Sequence, residues 1–255
     1  MKMQITFLGT GTSQGIPLIG CQCIVCKSVD ARDKRTRTSV MIETAGKRFV
    51  IDSGPDFRQQ MLREDVRELD ALLFTHEHKD HIAGLDDVRA FNYIQQKPMP
   101  VYATSRVQEA IRREFAYIFD GTDYPGIPKI DLHTITNKPF DAEGISVMPI
   151  EVHHHLLPVL GFRIGKFSYI TDANSISERE KEKIKGSEIL VLNALRHEKH
   201  ISHFTLNEAV ALSKELKVGK TYLIHLSHQM GLHAEVEKEL PENVRIAFDG
   251  LKLMV

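Results

Sequence analysis

Short apolar runs and alternating apolar and polar positions predict a chain rich in β-strands, with helices between some of them. We expect strands near residues 3–8, 38–44, 47–52, 70–75, 101–103, 145–151, 160–164, 167–171, 189–193, 220–224, 244–248 and 251–254. Apolar residues at helical spacing predict helices near residues 56–64, 85–96, 105–119, 176–185, 205–217 and 233–239. Because strands come in runs, the order favours a mixed sheet sandwich with outer helices over a doubly wound parallel sheet.

Length and composition predict one soluble domain over residues 1–255. With 255 residues, 42% of them hydrophobic, the chain can bury a sizeable core, and no linker, low-complexity run or internal repeat divides it. No apolar run approaches the ~20 residues that a membrane-spanning helix needs. The N-terminal segment enters a strand directly and lacks the apolar core of a signal peptide. We therefore expect a cytoplasmic protein with no membrane partner.

Charge and cysteine content exclude two further classes of protein. The chain has 33 basic and 34 acidic residues and a net charge of −1, so it offers no broad basic field for long nucleic acid. Its 3 cysteines are an odd number and all lie within residues 21–26, which argues against a disulfide framework.

The end of the fourth predicted strand carries a dense group of metal-ligating side chains. The segment LLFTHEHKDHIAG, residues 72–84, leads an apolar strand into His76, His78, Asp80 and His81. Side chains alternate along a strand, so His76 and His78 leave on one face and can bind one metal ion. Asp80 and His81 follow where the chain turns and offer ligands to a second ion nearby. The segment therefore predicts a metal site.

Other predicted strands also end in candidate ligands. Asp172 ends the strand FSYITDA, where a carboxylate suits a ligand shared by two cations, and His225 ends TYLIH in the same way. The run His153–His155 follows the strand that ends at Ile150, and only one of its imidazoles need bind metal. One ion would be held by His76, His78, one of His153–His155 and Asp172. The other would be held by Asp80, His81, His225 and the shared Asp172.

The first thirty residues contain a glycine-rich segment and a cysteine cluster. The segment LGTGTSQGIP has the spacing G-x-G-x-x-x-G and is followed by Pro17 and cysteines, so a dinucleotide-binding turn is not expected. Cys21, Cys23 and Cys26 have C-x-C-x-x-C spacing and lack the fourth ligand of a tetrahedral zinc site. His228 is the candidate for that ligand. A redox role and inert reduced thiols are the alternatives.

The sequence HEHKDH after an apolar strand, followed by isolated His, Asp and His residues at later strand ends, resembles the metallo-β-lactamase superfamily. The resemblance implies an α/β (α+β) protein, a four-layered αββα sandwich with two mixed sheets and the site at one sheet edge. It also implies that Asp52, in VIDSGPD, supports the metal ligands rather than binding metal. An Asx turn before Gly54-Pro55 is the structural alternative, and both are compatible.

The pairing of GTGTSQGIPLIGCQCIVC with LIHLSHQMG resembles one branch of that superfamily, the phosphoribosyl 1,2-cyclic phosphate phosphodiesterases. This resemblance implies a structural zinc held by Cys21, Cys23, Cys26 and His228 beside a dinuclear site. It makes His225 the active-site ligand. In this branch a histidine lies six residues before a Gly-aromatic pair, and Gly161-Phe162 therefore favours His155 over His153 and His154.

One more histidine bears on the reaction. His203, in ISHFTLNEA, matches a histidine that the branch places at the substrate phosphate, where an imidazole stabilises charge or protonates the leaving oxygen. The structural alternative is a residue near a helix N-terminus that Thr205 caps. His197 and His200 are close enough in sequence to be confused with it. Two arginines also have open roles, as phosphate contacts or as solvated charges, namely Arg35 and Arg37.

Together these residues predict a dinuclear metal-dependent phosphodiesterase for small cyclic phosphodiesters. Two cations about 3.5 Å apart would activate a bridging hydroxide, with Asp80 orienting its proton and His203 serving the leaving group. The ligands suit manganese or zinc, and also iron, while the cysteine site selects zinc. A tRNA 3′-processing endonuclease is an alternative, but no long basic arm is visible. A lactonase or thioesterase would leave His203 unexplained, and a non-enzymatic scaffold would not need every ligand.

The stretch FDGTDYPGIPK, residues 119–129, is a Gly/Pro-rich connection with two interpretations. It is long enough to form a flap over the site. It could instead pack at the interface of a homodimer, and the sequence leaves both open.

Overall fold

The computed structural model describes residues 2–121 and 124–255, and within these ranges fourteen strands form two sheets of seven strands each. The first sheet contains β1 (Met3–Gly9), β2 (Ser39–Thr44), β3 (Lys47–Ile51), β4 (Ala71–Leu73), β5 (Met99–Ala103), β6 (Ile130–Thr134) and β14 (Lys252–Met254). Their spatial order is β14-β1-β2-β3-β4-β5-β6. Pairing is antiparallel from β14 to β3 and parallel from β3 to β6.

The second sheet repeats this arrangement. It contains β7 (Phe140–Ala142), β8 (Ile145–His154), β9 (Leu157–Ile164), β10 (Phe167–Ile170), β11 (Ile189–Asn193), β12 (Lys220–Ile224) and β13 (Val244–Ile246). Their spatial order is β13-β12-β11-β10-β9-β8-β7. Pairing is antiparallel from β7 to β10 and parallel from β10 to β13.

Short helices connect the strands. They are α1 (Ile24–Lys27), α2 (Phe57–Arg63), α3 (Lys79–Ile82), α4 (Arg89–Gln95), α5 (Ser105–Glu114), α6 (Ala116–Phe119), α7 (Glu178–Ile184), α8 (Leu206–Leu216) and α9 (His233–Glu239). Turns of 3-10 helix lie at Ala31–Asp33, Leu85–Val88 and His228–Met230. Thr205 begins α8 with a capping box, since its side chain accepts from the Glu208 N–H while the Glu208 carboxylate accepts from the Thr205 N–H.

Three large apolar clusters in the described ranges correspond to the three interfaces of a four-layered molecule. The first lies between the sheets and joins Phe7 and Ile51 of one to Phe162 and Val191 of the other. The second packs residues of α7, α8 and α9 against the second sheet. The third packs α2, α4 and α5 against the first sheet. The predicted αββα sandwich is confirmed.

The structure differs from the predicted elements mainly at the periphery. Strands β6 and β7 were not expected: the side chains of β6 are half-buried or exposed at a sheet edge, and β7 is very short, so neither carries a strong apolar pattern. The helix expected at 85–96 is a 3-10 turn followed by α4, and the one expected at 105–119 is α5 followed by α6. No helix in the described ranges is long and apolar enough to cross a membrane.

Candidate metal centre

The site lies where the two sheets meet at one edge, because the loops after β4, β8, β10 and β12 all end there. Strand β4 leads into His76 and His78, and α3 then turns the chain so that Asp80 and His81 face back. The close approach of the loops requires glycine. A Cβ added to Gly54 would stand 2.1 Å from the carbonyl oxygen of Asp80. The fold therefore presses the loop after β3 directly against α3.

The first group of candidate ligands contains His76, His78 and His154, whose ligand atoms lie within 4.8 Å of one another. His76 Nε2 is 3.1 Å from His78 Nδ1. The His154 ring lies 5.7 Å from that of His76 and 5.1 Å from that of His78. These three imidazoles can face one cation.

The structure brings His154 to the other two imidazoles of this group, where the sequence predicted His155. Side chains alternate along β8, so His154 lies on the same face as Val152, the face that packs against the helices, while His153 points to the other face. His155 lies in the turn after the strand, exposed, with φ at +59° and its backbone N–H donated to Asn174 Oδ1. The spacing to Gly161-Phe162 therefore pointed to His155, whereas the adjacent His154 is the residue that faces the site.

The second group contains Asp80, His81, Asp172 and His225, again with ligand atoms within 4.8 Å of one another. Asp172 Oδ1 lies 3.1 Å from His225 Nδ1 and 3.4 Å from His81 Nε2. Asp172 Oδ2 faces the other group, 3.9 Å from His76 Nε2. One carboxylate thus presents an oxygen to each group, which is the arrangement of a ligand shared by two cations.

The hydrogen bonds of this group leave two nitrogen lone pairs aimed into the site. His81 Nδ1–H donates to Asp52 Oδ2 at 2.7 Å, and His225 Nε2–H donates to Thr12 Oγ1 at 3.1 Å. The opposite atoms, His81 Nε2 and His225 Nδ1, are buried and have no hydrogen-bond partner in the described part of the chain. Buried polar atoms rarely lack a partner, so these residues fit metal ions that would accept their lone pairs.

Asp52 supports the ligands and does not take part in either group. Its buried carboxylate accepts from the Thr75 N–H at 2.9 Å, the Thr75 hydroxyl at 2.8 Å and His81 Nδ1–H at 2.7 Å. Thr75 Oγ1 in turn accepts from His76 Nδ1–H at 2.9 Å, which leaves His76 Nε2 for a metal. Asp52 therefore orients His81 directly and His76 through Thr75, in the position that the resemblance implies.

Carboxylates give the site a negative potential. Burial alone would lower the pKa of His81, but Asp80, Asp172 and Asp52 around it raise that pKa well above its usual range. Burial would raise the pKa of Asp172, and His225 and His81 hold it well below its usual range. The cage therefore favours positive charge, carried by protons or by cations.

Three of these residues have a left-handed backbone conformation that side chains other than glycine seldom adopt. Asp52 and His225 directly follow β3 and β12, Asp172 lies two residues after β10, and their φ values are +64°, +58° and +56°. Such conformations cost free energy and occur mainly where the surrounding structure holds a functional side chain in place. The strand ends are thus bent to direct these side chains into the site.

His203 lies beside both groups. Its ring is 4.6 Å from that of His154 and 4.8 Å from that of His225, and its Nδ1 is buried without a hydrogen-bond partner in the described ranges. Burial and the neighbouring His225 lower the pKa of His203 to about 3. Thr205, not His203, caps α8, so capping does not account for this histidine.

The cysteine cluster forms a separate group of ligands. Cys21, Cys23, Cys26 and His228 bring their ligand atoms within 4.8 Å of one another, and His228 Nδ1 lies 3.3 Å from Cys21 Sγ and 3.4 Å from Cys23 Sγ. The Cys26 backbone N–H and then His228 lower the pKa of Cys23 to about 6. Three unpaired thiols and an imidazole fit a tetrahedral zinc ion.

The four residues with open roles are engaged elsewhere or lie near His203. Arg35 is buried and donates to Thr10 Oγ1, Ala247 O and His233 Nδ1, while Arg37 pairs with Asp56 at 3.0 Å. Neither guanidinium is directed at the ligand groups. His197 Nε2–H donates to the Met230 carbonyl, and the His200 ring lies 5.2 Å from that of His203.

Sequence reasoning missed two hydroxyl residues of the site, Thr12 and Thr75. Each hydrogen-bonds the ring nitrogen of a ligand histidine that does not face the metal site, namely His225 Nε2 and His76 Nδ1. A signal existed, since Thr12 lies in the glycine-rich segment and Thr75 directly precedes His76.

The sequence also left the role of the stretch 119–129 open. Tyr93 holds it by donating to the Pro125 carbonyl at 2.7 Å, and residues 122–123 lie outside the described ranges.

Known proteins resemble this chain in sequence and in fold. A family model described as the beta-lactamase superfamily domain matches residues 47–226. A solved structure described as a new diphosphatase from the PhnP family is 40% identical, with a TM-score of 0.94, and the match covers 100% of this chain and 98% of that one.

Two curated relatives differ in how much of their length is matched. The octanoyltransferase of Porphyromonas gingivalis is 41% identical over 256 residues, which is 99% of this chain but 52% of that protein. The chain thus spans about half the length of this relative. Ribonuclease Z of Mycobacterium bovis is 24% identical over 261 residues, with 90% of this chain and 88% of that enzyme covered.

Proposed function

The chain belongs to the β-lactamase superfamily, in the branch of the PhnP family, and from this premise we propose that it hydrolyses small phosphodiesters at a dinuclear metal site. The observation that carries the proposal is the position of His203 against both groups of ligands. An additional imidazole beside the cage suits a phosphoryl reaction, in which charge develops on the leaving oxygen.

The two groups of side chains would each hold one divalent cation, manganese, zinc or iron. His76, His78 and His154 would hold one ion and Asp80, His81 and His225 the other, and Asp172 would serve both. Cations held in this way would act as Lewis acids on the phosphate oxygens and would lower the pKa of a water at the site. The cysteine cluster would hold zinc.

His203 serves the leaving oxygen. Its low pKa keeps the ring neutral in the substrate-free protein. A phosphate bound against it brings negative charge within a few ångströms, which raises the pKa and favours the protonated ring. The imidazolium then gives its proton to the departing alkoxide, so that the products are a phosphomonoester and an alcohol. Asp80, a member of the second group of ligands, would orient the proton of the attacking water.

The surroundings favour a small substrate. A cavity of about 180 Å³ adjoins His76 and is lined by Thr75, Glu77, Thr104, Arg106, Val107, Glu151, Pro158 and Leu160. Its volume suits one small ring. Glu77 pairs with Arg106 at its rim at 2.7 Å, so polar groups border an otherwise mostly apolar space. A small phosphodiester with one ring is the substrate class that we propose.

A diester of diphosphate is the second candidate substrate. It is favoured by the solved relative described as a diphosphatase, which is 40% identical over nearly the whole chain. The same residues would serve this reaction, because it also breaks a P–O bond at a doubly substituted phosphorus. Octanoyl transfer is not proposed, since about half of that relative lies outside the matched region.

The test compares substrate classes on one protein loaded with manganese. We expect turnover of bis(p-nitrophenyl) phosphate, and its rate is compared with hydrolysis of a diester of diphosphate, a chromogenic lactone and a thioester. Hydrolysis of the lactone or the thioester, with both phosphorus substrates left intact, would overturn the proposal.

The cytoplasmic location, the single domain and the homodimer stay predictions.

A further inference from the structure

The loop that carries His203 is attached on one side to the metal site. This histidine loop, residues 196–203, contains neither helix nor strand. His154 Nδ1–H donates to the Ser202 carbonyl at 2.9 Å, and Asn174 Nδ2 donates to the Ile201 carbonyl at 2.9 Å. These bonds fix the end of the loop next to His203.

The other side of the histidine loop is attached to the cysteine cluster. His197 Nε2–H donates to the Met230 carbonyl at 2.9 Å, and Arg196 NH1 donates to Gln229 Oε1 at 2.7 Å. Both acceptors lie in the 3-10 turn His228–Met230, whose first residue is the imidazole of the cysteine cluster. Two side chains therefore connect the loop to a turn that zinc would hold.

Arg196 also organises the loop internally. Its Nε and NH2 groups point at the carbonyls of Glu198 and Lys199, each 3.4 Å away, while its own carbonyl accepts from the Leu206 N–H at 3.0 Å. A loop without regular secondary structure depends on such side-chain bonds for its shape. Displacing a catalytic group by about 1 Å can cost on the order of 100-fold in rate.

We propose that Arg196 and His197 are positioning residues that tie His203 to the turn at His228, so that zinc in the cysteine cluster sets the place of the leaving-group histidine. The proposal rests on the role of His203 in the proposed function. The cysteine cluster would then affect the reaction as well as local folding. His197, whose role the sequence left open, would act through its hydrogen bond to the Met230 carbonyl.

The first test uses two phosphodiesters that share a methyl group and differ in leaving group, p-nitrophenolate or phenolate. The poorer leaving group, phenolate, needs the proton of His203 more. Arg196→Ala and His197→Ala should lower kcat for the phenyl ester on the order of 10-fold, and much less for the nitrophenyl ester. His197→Gln keeps an N–H donor and should restore most of the rate. His133→Gln, on β6, is the control and should match wild type.

Metal content and the His203→Ala variant separate the possible failures. Manganese and zinc should stay at wild-type levels in all positioning variants, and His203→Ala should show the same selective loss, only larger. If His203→Ala affects both esters equally, the proposed role of His203 is wrong. If His203→Ala is selective while the Arg196 and His197 variants are unchanged, lose both rates equally or lose metal, the positioning inference is overturned.

A second test measures the coupling without turnover. The ring ¹H–¹³C peak of His203, assigned by its absence in His203→Ala, should shift when one equivalent of zinc, enough for the cysteine cluster alone, is added to metal-free protein, and should not shift in Cys21→Ser. In the double variant Arg196→Ala/His197→Ala the shift should disappear, and in His133→Gln it should persist. If the zinc-induced shift is the same in the double variant as in wild type, Arg196 and His197 do not carry the coupling and the positioning inference is overturned.

Discussion

His154 donates its Nδ1–H to the carbonyl oxygen of Ser202 at 2.9 Å, and so a candidate metal ligand holds the residue next to His203. The bond also fixes the tautomer of His154, leaving Nε2 for a cation. Metal binding and the placement of His203 are therefore linked through one imidazole. This bond distinguishes His154 from both neighbouring histidines.

His154 and His155 form a matched pair for testing the ligand assignment. His154→Ala should lower the manganese content and reduce turnover by at least about 100-fold, because a ligand and the bond to Ser202 are both lost. His155→Ala should leave both at wild-type values, since that side chain is exposed in the turn. Elemental analysis and steady-state kinetics check this. Metal loss in His155→Ala alone would restore the sequence-based choice.

Asp172→Ala should lose at least one cation, because this carboxylate faces both groups of ligands. We expect turnover to fall below detection. The measurement is metal stoichiometry by elemental analysis, with circular dichroism to establish that the variant is folded. Retention of two cations per chain would contradict the shared position.

His203→Ala should reduce turnover by on the order of 100-fold or more while leaving metal content intact, because the two groups of ligands described above are complete without this imidazole, which shares only an overlapping third set with His154 and Asp172. Kinetics on a phosphodiester and elemental analysis on the same preparation measure the two quantities. An unchanged rate would refute the role of this histidine.

Thr75→Val should weaken cation binding about 10- to 100-fold, since the hydroxyl that joins Asp52 to His76 disappears with little change of volume. Thr75→Ser keeps the hydroxyl and is the control. Metal affinity measured by competition with a chelator distinguishes the two variants. Equal affinities in Val and Ser would mean that Asp52 acts without Thr75.

His233 should make stability depend on pH. Burial, and then the nearby charge of Arg35, lower the pKa of His233 to about 4 from an ordinary value of 6.5. The unfolded chain therefore binds the proton more readily. The contribution of the neutral ring is complete above pH 6.5 and is lost as the pH falls toward 4, on the order of 2 kcal/mol. Urea unfolding of wild type and His233→Gln from pH 7 to pH 4 measures it; parallel curves would contradict the prediction.

Local sequence predicted the parts of the site that are contiguous or end an apolar run. His76, His78, Asp80 and His81 follow one strand within six residues, and the structure brings them together. Asp172 and His225 were found because each follows a strongly apolar strand. The layers of the fold could be predicted for the same reason, since buried strands carry clear apolar patterns.

The choice among three consecutive histidines could not be made from sequence. It depends on the register in which β8 pairs with β9, where His154 lies opposite Leu157. A shift of one residue moves every side chain to the other face, and nothing local records the register. The hydrogen bonds of Thr12 likewise become visible only when distant segments are placed together, because a threonine after a glycine is common in turns.

The candidate ligands come from both halves of the sandwich: His76 and His81 follow a strand of the first sheet, and Asp172 and His225 follow strands of the second. Cations bound between them would add their binding free energy to the association of the two halves. Removing the ions should therefore lower the free energy of unfolding of the whole molecule and not only loosen one loop. A folding intermediate with a single finished sheet would hold only half of each coordination shell, so full occupancy would report completed assembly.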